Sequence, residues 1–173
     1  MIRRLAWLLA FAATPAAAAD LFGGVYVHDV RLPLTKDIHE GGADFEAGYR
    51  FNAILQLGPA IGIQPYVLGS VNSRGDTSFG AAGLSARIGG PIYLRPGIGL
   101  AIHDGPSYRV GANNRRTDLG SRVLFEPELA LGVMVAPRVS LEASYVHLSH
   151  AQIFGHQNPG LDMLGVRLNL HLP

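Results

Sequence analysis

The sequence predicts an all-β protein: an eight-stranded antiparallel transmembrane β-barrel that follows a cleavable export signal. Three features carry this reading. The first nineteen residues have the layout of a leader, strand-period alternation persists over long runs, and the connections alternate between longer polar loops and short turns. After the leader no stretch reaches about 20 uninterrupted apolar residues, the length a spanning helix needs. An exported chain of this kind is either soluble or crosses the membrane with strands.

At 173 residues a single domain is expected. With no cysteine in the chain, neither a disulfide framework nor a thiolate metal site can form. A net charge of +1 argues against a nucleic-acid partner. In the leader, Arg3 and Arg4 give the positive region and Leu5–Ala13 the apolar stretch. Pro15 and the small residues Ala16–Ala19 then suit a signal peptidase. The expected organisation is a signal peptide over 1–19 and a barrel domain over 20–173.

The strands follow in order. The first is placed at 22–31 and the second at 43–57. In the second, Phe45, Ala47, Tyr49, Phe51, Ala53, Leu55 and Leu57 share a face opposite Asp44, Glu46, Gly48, Arg50, Asn52 and Gln56. After Gly58-Pro59, the third (61–72) sets Ile61, Ile63, Pro65, Val67 and Val71 against Gln64, Tyr66, Ser70 and Asn72. The fourth spans 77–88. The fifth (92–103) alternates Ile92, Leu94, Pro96, Ile98, Leu100 and Ile102 with Tyr93, Arg95, Gly97, Gly99, Ala101 and His103. The sixth spans 120–135, with Val123, Phe125, Leu129, Leu131 and Val133 opposite Arg122, Glu126 and Glu128. In the seventh (139–149), Leu141, Ala143 and Tyr145 face away from Ser140, Glu142 and Ser144. The eighth (162–172) sets Leu164, Val166, Leu168 and Leu170 against Gly165, Arg167 and Asn169.

These runs are longer than the ~5–6 residues usual for sandwich strands and fit a membrane barrel, apolar outward and polar inward. Closure leaves no unpaired edge within lipid. Eight strands enclose an interior that side chains fill, so an open pore is not expected. Arg95, Glu126, Glu128, Glu142 and Arg167 are expected to pair inside. Connections 32–42, 73–76, 104–119 and 150–161 would lie at the outer surface, with Gly58–Ala60, Gly89–Pro91 and Ala136–Arg138 at the periplasmic side. Arg74-Gly75-Asp76 reads as a polar turn.

The alternation has a chemical consequence. Extending it along the seventh strand places His147 and Ser149 on the outward face, and the eighth strand places Asp162 there too. Polar groups that face lipid are costly and point to function. A serine, a histidine and a carboxylate are also the parts of a nucleophilic hydrolase, in which the histidine takes the serine proton and the acid orients the imidazole. The same residues also suit a mere membrane-interface rim, and the residues alone leave both readings open.

The segment His147-Leu148-Ser149-His150-Ala151, followed by Asn158-Pro159-Gly160 and Asp162, resembles the lipid A 3-O-deacylase family, also called PagL. The detailed match covers about 25 C-terminal residues, and the leader, size and strand count extend it along the chain. The resemblance implies an outer-membrane esterase that needs no cofactor and removes the ester-linked acyl chain at position 3 of lipid A. It carries the histidine, serine and acid over to His147, Ser149 and Asp162. Two departures stand out: the acid is Asp162 where the family's best-known member has glutamate, and His150 replaces the asparagine that usually follows the serine. Backbone N–H groups of His150 and Ala151, or the Asn158 amide, are candidates for an oxyanion hole.

Arg109, Arg115 and Arg116, in the third outer loop, are candidate contacts for lipid A phosphates, although a solvated loop also accounts for them. His147, His150 and His156 do not have the spacing of a zinc site, so no metal is expected. The expected partners are lipid A or lipopolysaccharide and outer-membrane lipids, in a monomer or homodimer. Two alternatives have different signatures. A structural or adhesive barrel of the OmpA or OmpX type would be indifferent to His147 and Ser149. A lipid A acyltransferase would need a donor-lipid pocket inside the barrel.

Overall fold

The computed structural model describes residues 18–32, 39–58, 60–107, 116–154 and 156–173. Its strands are β1 Asp20–Val27, β2 Ala43–Arg50, β3 Leu55–Gln56, β4 Ile61–Asn72, β5 Phe79–Gly89, β6 Ile92–His103, β7 Val123–Ala136, β8 Val139–Leu148 and β9 Leu161–His171. Each pairs antiparallel with its neighbours in the order β2-β1-β9-β8-β7-β6-β5-β4-β3, and β2 also pairs with β4, which closes the sheet. β2 and β3 are two pieces of one stave, so the wall is the eight-stranded barrel that the alternation predicts.

Two predicted strands depart most from expectation, each for a physical reason; the fourth and sixth begin two and three residues later than expected, at Phe79 and Val123. The second does not run unbroken over 43–57. Arg50 pairs with Tyr66, but Leu55 pairs with Ile63, so the stave holds two residues more than the ladder needs. Pro65 lies at this step; it accepts from Phe51 N at 2.8 Å but has no N–H to return, and the regular ladder stops there. The first strand ends at Val27 rather than 31. Asp29 has φ 53°, and Val30 N then bonds Asp162 O at 2.9 Å, one residue out of step with the Val27–Leu164 pairing. This is a bulge: His28 keeps the inward side that alternation gives it, and Asp29 is buried beside it.

Along the regular strands the outward rows are apolar and exposed: Val25, Phe45, Val67, Ile98, Leu131, Leu141 and Val166 are examples. The inward rows are buried and charged. Arg167 donates to Glu46 at 2.9 Å, Glu128 at 2.8 Å and Glu142 at 3.4 Å. Arg95 reaches Glu142 at 2.9 Å, Gln64 at 2.8 Å and Asp20 at 3.5 Å, and Arg50 donates to Asn169 at 2.7 Å. Tyr66 hydroxyl donates to Glu126. The predicted interior network is present for Arg95, Glu128, Glu142 and Arg167, and it also takes in Arg50, Glu46 and Asp20; Glu126 forms no ion pair among the described residues and takes the Tyr66 hydroxyl instead.

Inward glycines seat the aromatic rings of neighbouring strands. A Cβ on Gly132 would lie 2.2 Å from the Tyr93 ring, and one on Gly48 2.3 Å from Phe22. This close approach explains why glycine recurs on the inner face, where a soluble sandwich would place larger apolar residues.

The long-loop end is tied by a buried knot. Glu40 accepts from His28 Nε2 (2.8 Å), Thr77 N (2.8 Å), Thr77 Oγ1 (2.9 Å) and Thr117 N (2.7 Å). One carboxylate thus joins the first strand's end to three loops. His28 Nδ1 contacts Asp44 at 2.7 Å. Asp29 Oδ2 accepts from the amides of His39 and Glu40, both at 3.0 Å.

Candidate active site

β8 and β9 set the site through their register. His147 lies directly opposite Asp162, with Tyr145 opposite Leu164. Ser149 lies just past the end of β8 and makes a bridge to Phe125, with backbone bonds of 2.7 and 3.1 Å. Leu141 and Ala143 on β8, and Leu164, Val166 and Leu168 on β9, are exposed on the outer wall. Strand alternation from these positions puts Tyr145, His147, Ser149 and Asp162 on that same outer wall. All four therefore share one face of two adjacent strands at the long-loop end.

The side-chain geometry is specific. His147 Nδ1 lies 2.5 Å from Asp162 Oδ1. A carboxylate can only accept, so Nδ1 carries a proton and donates; in the neutral imidazole the lone pair is then on Nε2. Directly opposite residues have Cβ atoms about 4.5–5.5 Å apart, a span that aspartate bridges without the extra methylene of glutamate. Asp162 is fully buried and His147 is 7% exposed, so the pair is shielded although it lies on the wall's outer face.

Ser149 is half-buried, and its hydroxyl makes no hydrogen bond with other described residues. Two residues along a strand rise about 6.6 Å. No hydrogen bond joins Ser149 Oγ and His147 Nε2 here; such catalytic contacts are commonly long without substrate.

The turn after Ser149 is sharp. Ala151 (φ 50°) and Gln152 (φ 61°) both take left-handed conformations, and Ile153 N closes the turn on His150 O at 2.9 Å. Non-glycine residues are strained there, as backbone beside functional sites often is. His150 is buried and holds this loop together. Its Nε2 donates to Gln157 O at 2.7 Å, and its Nδ1 accepts from Phe154 N at 3.4 Å. His150 N donates to Asn158 Oδ1 at 3.1 Å, so that amide is engaged by the candidate Asn158 itself. Gly120 (φ 74°) lets the third loop pack here, since a Cβ would lie 2.1 Å from Gln157 O and 2.8 Å from His150 Nε2.

Of the candidate phosphate contacts, Arg116 pairs with the exposed Asp104 at 2.7 Å. Arg109 and Arg115 lie outside the described residues. Two further histidines have other work: His103 Nε2 bonds Ser121 O at 2.6 Å, and His171 Nδ1 contacts Asp20 at 2.6 Å. Among the described residues no group of three or more His, Asp or Glu side chains could hold a metal ion.

Sequence reasoning missed two features here. Tyr145 hydroxyl donates to Asp162 Oδ1 at 2.7 Å, the oxygen that also takes His147. The alternation had already placed Tyr145 on this face, which was the available signal. The loop-stapling role of His150 left no periodic trace.

A family model described as lipid A 3-O-deacylase (PagL) matches residues 41–171. The crystal structure of the outer membrane enzyme PagL superimposes with a TM-score of 0.63 at 16% identity, over 88% of this chain and 99% of that one. Neisserial surface protein A aligns with a TM-score of 0.52 at 11% identity, over 89% and 97% of the two chains. A de novo designed transmembrane β-barrel aligns at 0.50 and 12% identity, over 91% and 99%. These structural likenesses speak to the fold. A comparison with curated protein sequences finds no match.

Proposed function

The chain belongs to the lipid A 3-O-deacylase (PagL) family, and on that premise we propose that it is an outer-membrane esterase, exported by a signal peptide cleaved after Ala19, that hydrolyses the ester-linked acyl chain at position 3 of lipid A. The observation that carries this reading is the His147–Asp162 pair on the outer wall beside Ser149. Substrate that already lies in the outer leaflet would meet these groups without entering the barrel, whose interior is packed with charged side chains.

In the proposed reaction Ser149 rotates toward His147, and Nε2 takes the hydroxyl proton as Oγ attacks the ester carbonyl. Asp162 holds the imidazole and balances its charge. Collapse of the tetrahedral intermediate transfers the proton to the departing lipid A hydroxyl and leaves the acyl chain on Oγ. Water, deprotonated by the same Nε2, then releases the fatty acid. With His150 N–H given to Asn158, the Ala151 N–H in the tight turn is the better-placed of the two backbone oxyanion candidates.

Mass spectrometry of lipid A from cells that express wild type, Ser149→Ala or His147→Ala tests the reading. Loss of one hydroxyacyl chain with wild type alone is expected. Unchanged lipid A in all three would refute hydrolysis and favour a structural barrel, and a gain of acyl mass would indicate acyl transfer.

A further inference from the structure

We propose that Tyr145 is a positioning residue for the acid of this site, an inference that rests on the hydrolase reading above. Tyr145 lies two residues before His147 on the same face and opposite Leu164, which makes Asp162 its diagonal neighbour across β8 and β9. Diagonal neighbours stand about 7–8 Å apart, within reach of an aromatic side chain. The Tyr145 hydroxyl spans that gap and donates to Asp162 Oδ1 at 2.7 Å.

The carboxylate has an unusual set of partners. Oδ1 takes both the tyrosine hydroxyl and His147 Nδ1, while Oδ2 is buried with no partner among the described residues. The terminal torsion of an aspartate is broad. One donor would fix a distance and leave the carboxylate plane free to swing. Two donors converging on one oxygen from same-face neighbours of β8 fix where that oxygen sits. The imidazole that depends on it is then held in one orientation, with Nε2 directed away from the acid. A hydroxyl donating to a charged acceptor is also among the stronger hydrogen bonds a side chain can offer a buried charge. The hydroxyl is thereby committed to Asp162, so Tyr145 acts through the acid and not on the substrate.

A tyrosine on the outer wall near the membrane boundary also suits the aromatic belt of a barrel. Tyr145→Phe separates the two roles, because it keeps the ring and removes only the donor. Initial rates on lipid A in mixed detergent micelles would be compared for wild type, Tyr145→Phe, Asp162→Ala and the double variant, each checked for folding by heat-modifiable gel mobility. The expected result is a fall in kcat of about tenfold for Tyr145→Phe, with KM within about twofold and no further loss in the Asp162→Ala background. An unchanged kcat in Tyr145→Phe, or the same tenfold loss in the Asp162→Ala background, overturns the proposal. The His147 Nδ1–H resonance in micelles reads the contact without turnover. It should move in Tyr145→Phe, and an unmoved resonance overturns the positioning role. Should wild type release no acyl chain, the hydrolase reading fails on its own, and this resonance still decides whether Tyr145 sets the acid.

Discussion

The knot around Glu40 makes the long loops sensitive to alkaline pH, through His28. The imidazole is buried between Glu40 Oε2 at 2.8 Å and Asp44 Oδ2 at 2.7 Å. Burial opposes its charge, but the hydrogen bonds and charges of Asp44 and Glu40 outweigh it, and its pKa is raised from 6.5 to about 9. Burial also opposes ionisation of Glu40, whose hydrogen bonds from His28, Thr77 and Thr117 nevertheless hold it below the ordinary glutamate value. Asp29, beside them, is pushed up by burial despite two backbone donors. A histidine raised on folding contributes stability that is complete below its unfolded pKa and is lost as pH climbs through the folded value. The shift corresponds to roughly 3 kcal/mol, complete below pH 6.5 and lost by about pH 9. Glu40 contributes in the opposite sense: its share is present above the unfolded carboxylate pKa and is lost as pH falls through the lowered one. The knot is therefore tightest in mildly acidic solution. The amides of Thr77 and Thr117 both donate to Glu40 and report on it directly. Their hydrogen-exchange protection factors, corrected for intrinsic rate, should fall on the order of 100-fold between pH 6 and 9.5. In His28→Gln they should be low and flat across that range. Protection that is constant with pH in wild type, or that rises toward pH 9.5, would refute the reasoning.

Two further outcomes follow from the interior. Arg167→Met leaves Glu46, Glu128 and Glu142 without their shared guanidinium, and loss of one partner from a buried ion network costs about 3–5 kcal/mol; urea unfolding in micelles should show a lowered midpoint. Gly132→Ala drives a Cβ into the Tyr93 ring and should cost about 1–3 kcal/mol by overpacking in the same assay, a cost that Tyr93→Ala in the same chain should relieve.

What could be read from the sequence was whatever repeats every two residues. The apolar rows of β4, β6, β7, β8 and β9 gave the wall, and extrapolating them put His147 and Asp162 on the outer face, where the structure finds them paired. Residues that leave that period were not legible. Pro65 interrupts the second stave through a missing N–H, which hydropathy does not register, since proline sits comfortably in the apolar row. Asp29 turns the chain inward through a positive φ that nothing in its polar surroundings announces. Glu40, Thr77 and Thr117 meet across three loops at separations set only by barrel closure, and His150 staples its own loop through backbone groups. The hydroxyl of Tyr145 was hidden differently: its position was predictable, but its hydrogen bond depends on the diagonal offset between β8 and β9, which only the register reveals.

The two faces of the β8–β9 pair are energetically linked. On the outside, His147 stands opposite Asp162; on the inside, five residues down the same strands, Glu142 stands opposite Arg167, with Arg167 Nη1 3.4 Å from Glu142 Oε2. A slip of one residue between these strands would exchange inner and outer faces along one of them. Slippage of β9 would carry Arg167 out of contact with Glu46, Glu128 and Glu142 and into the apolar wall, leaving three buried carboxylates short of a cation. That penalty is far larger than any gain the outer apolar rows could return, because Leu164, Val166 and Leu168 would exchange lipid contact for a charged interior. A small set of polar residues on a lipid-facing wall has little packing of its own to define it. The charged interior supplies that definition from behind, by admitting one register, and the opposition of His147 to Asp162 is a consequence of that register.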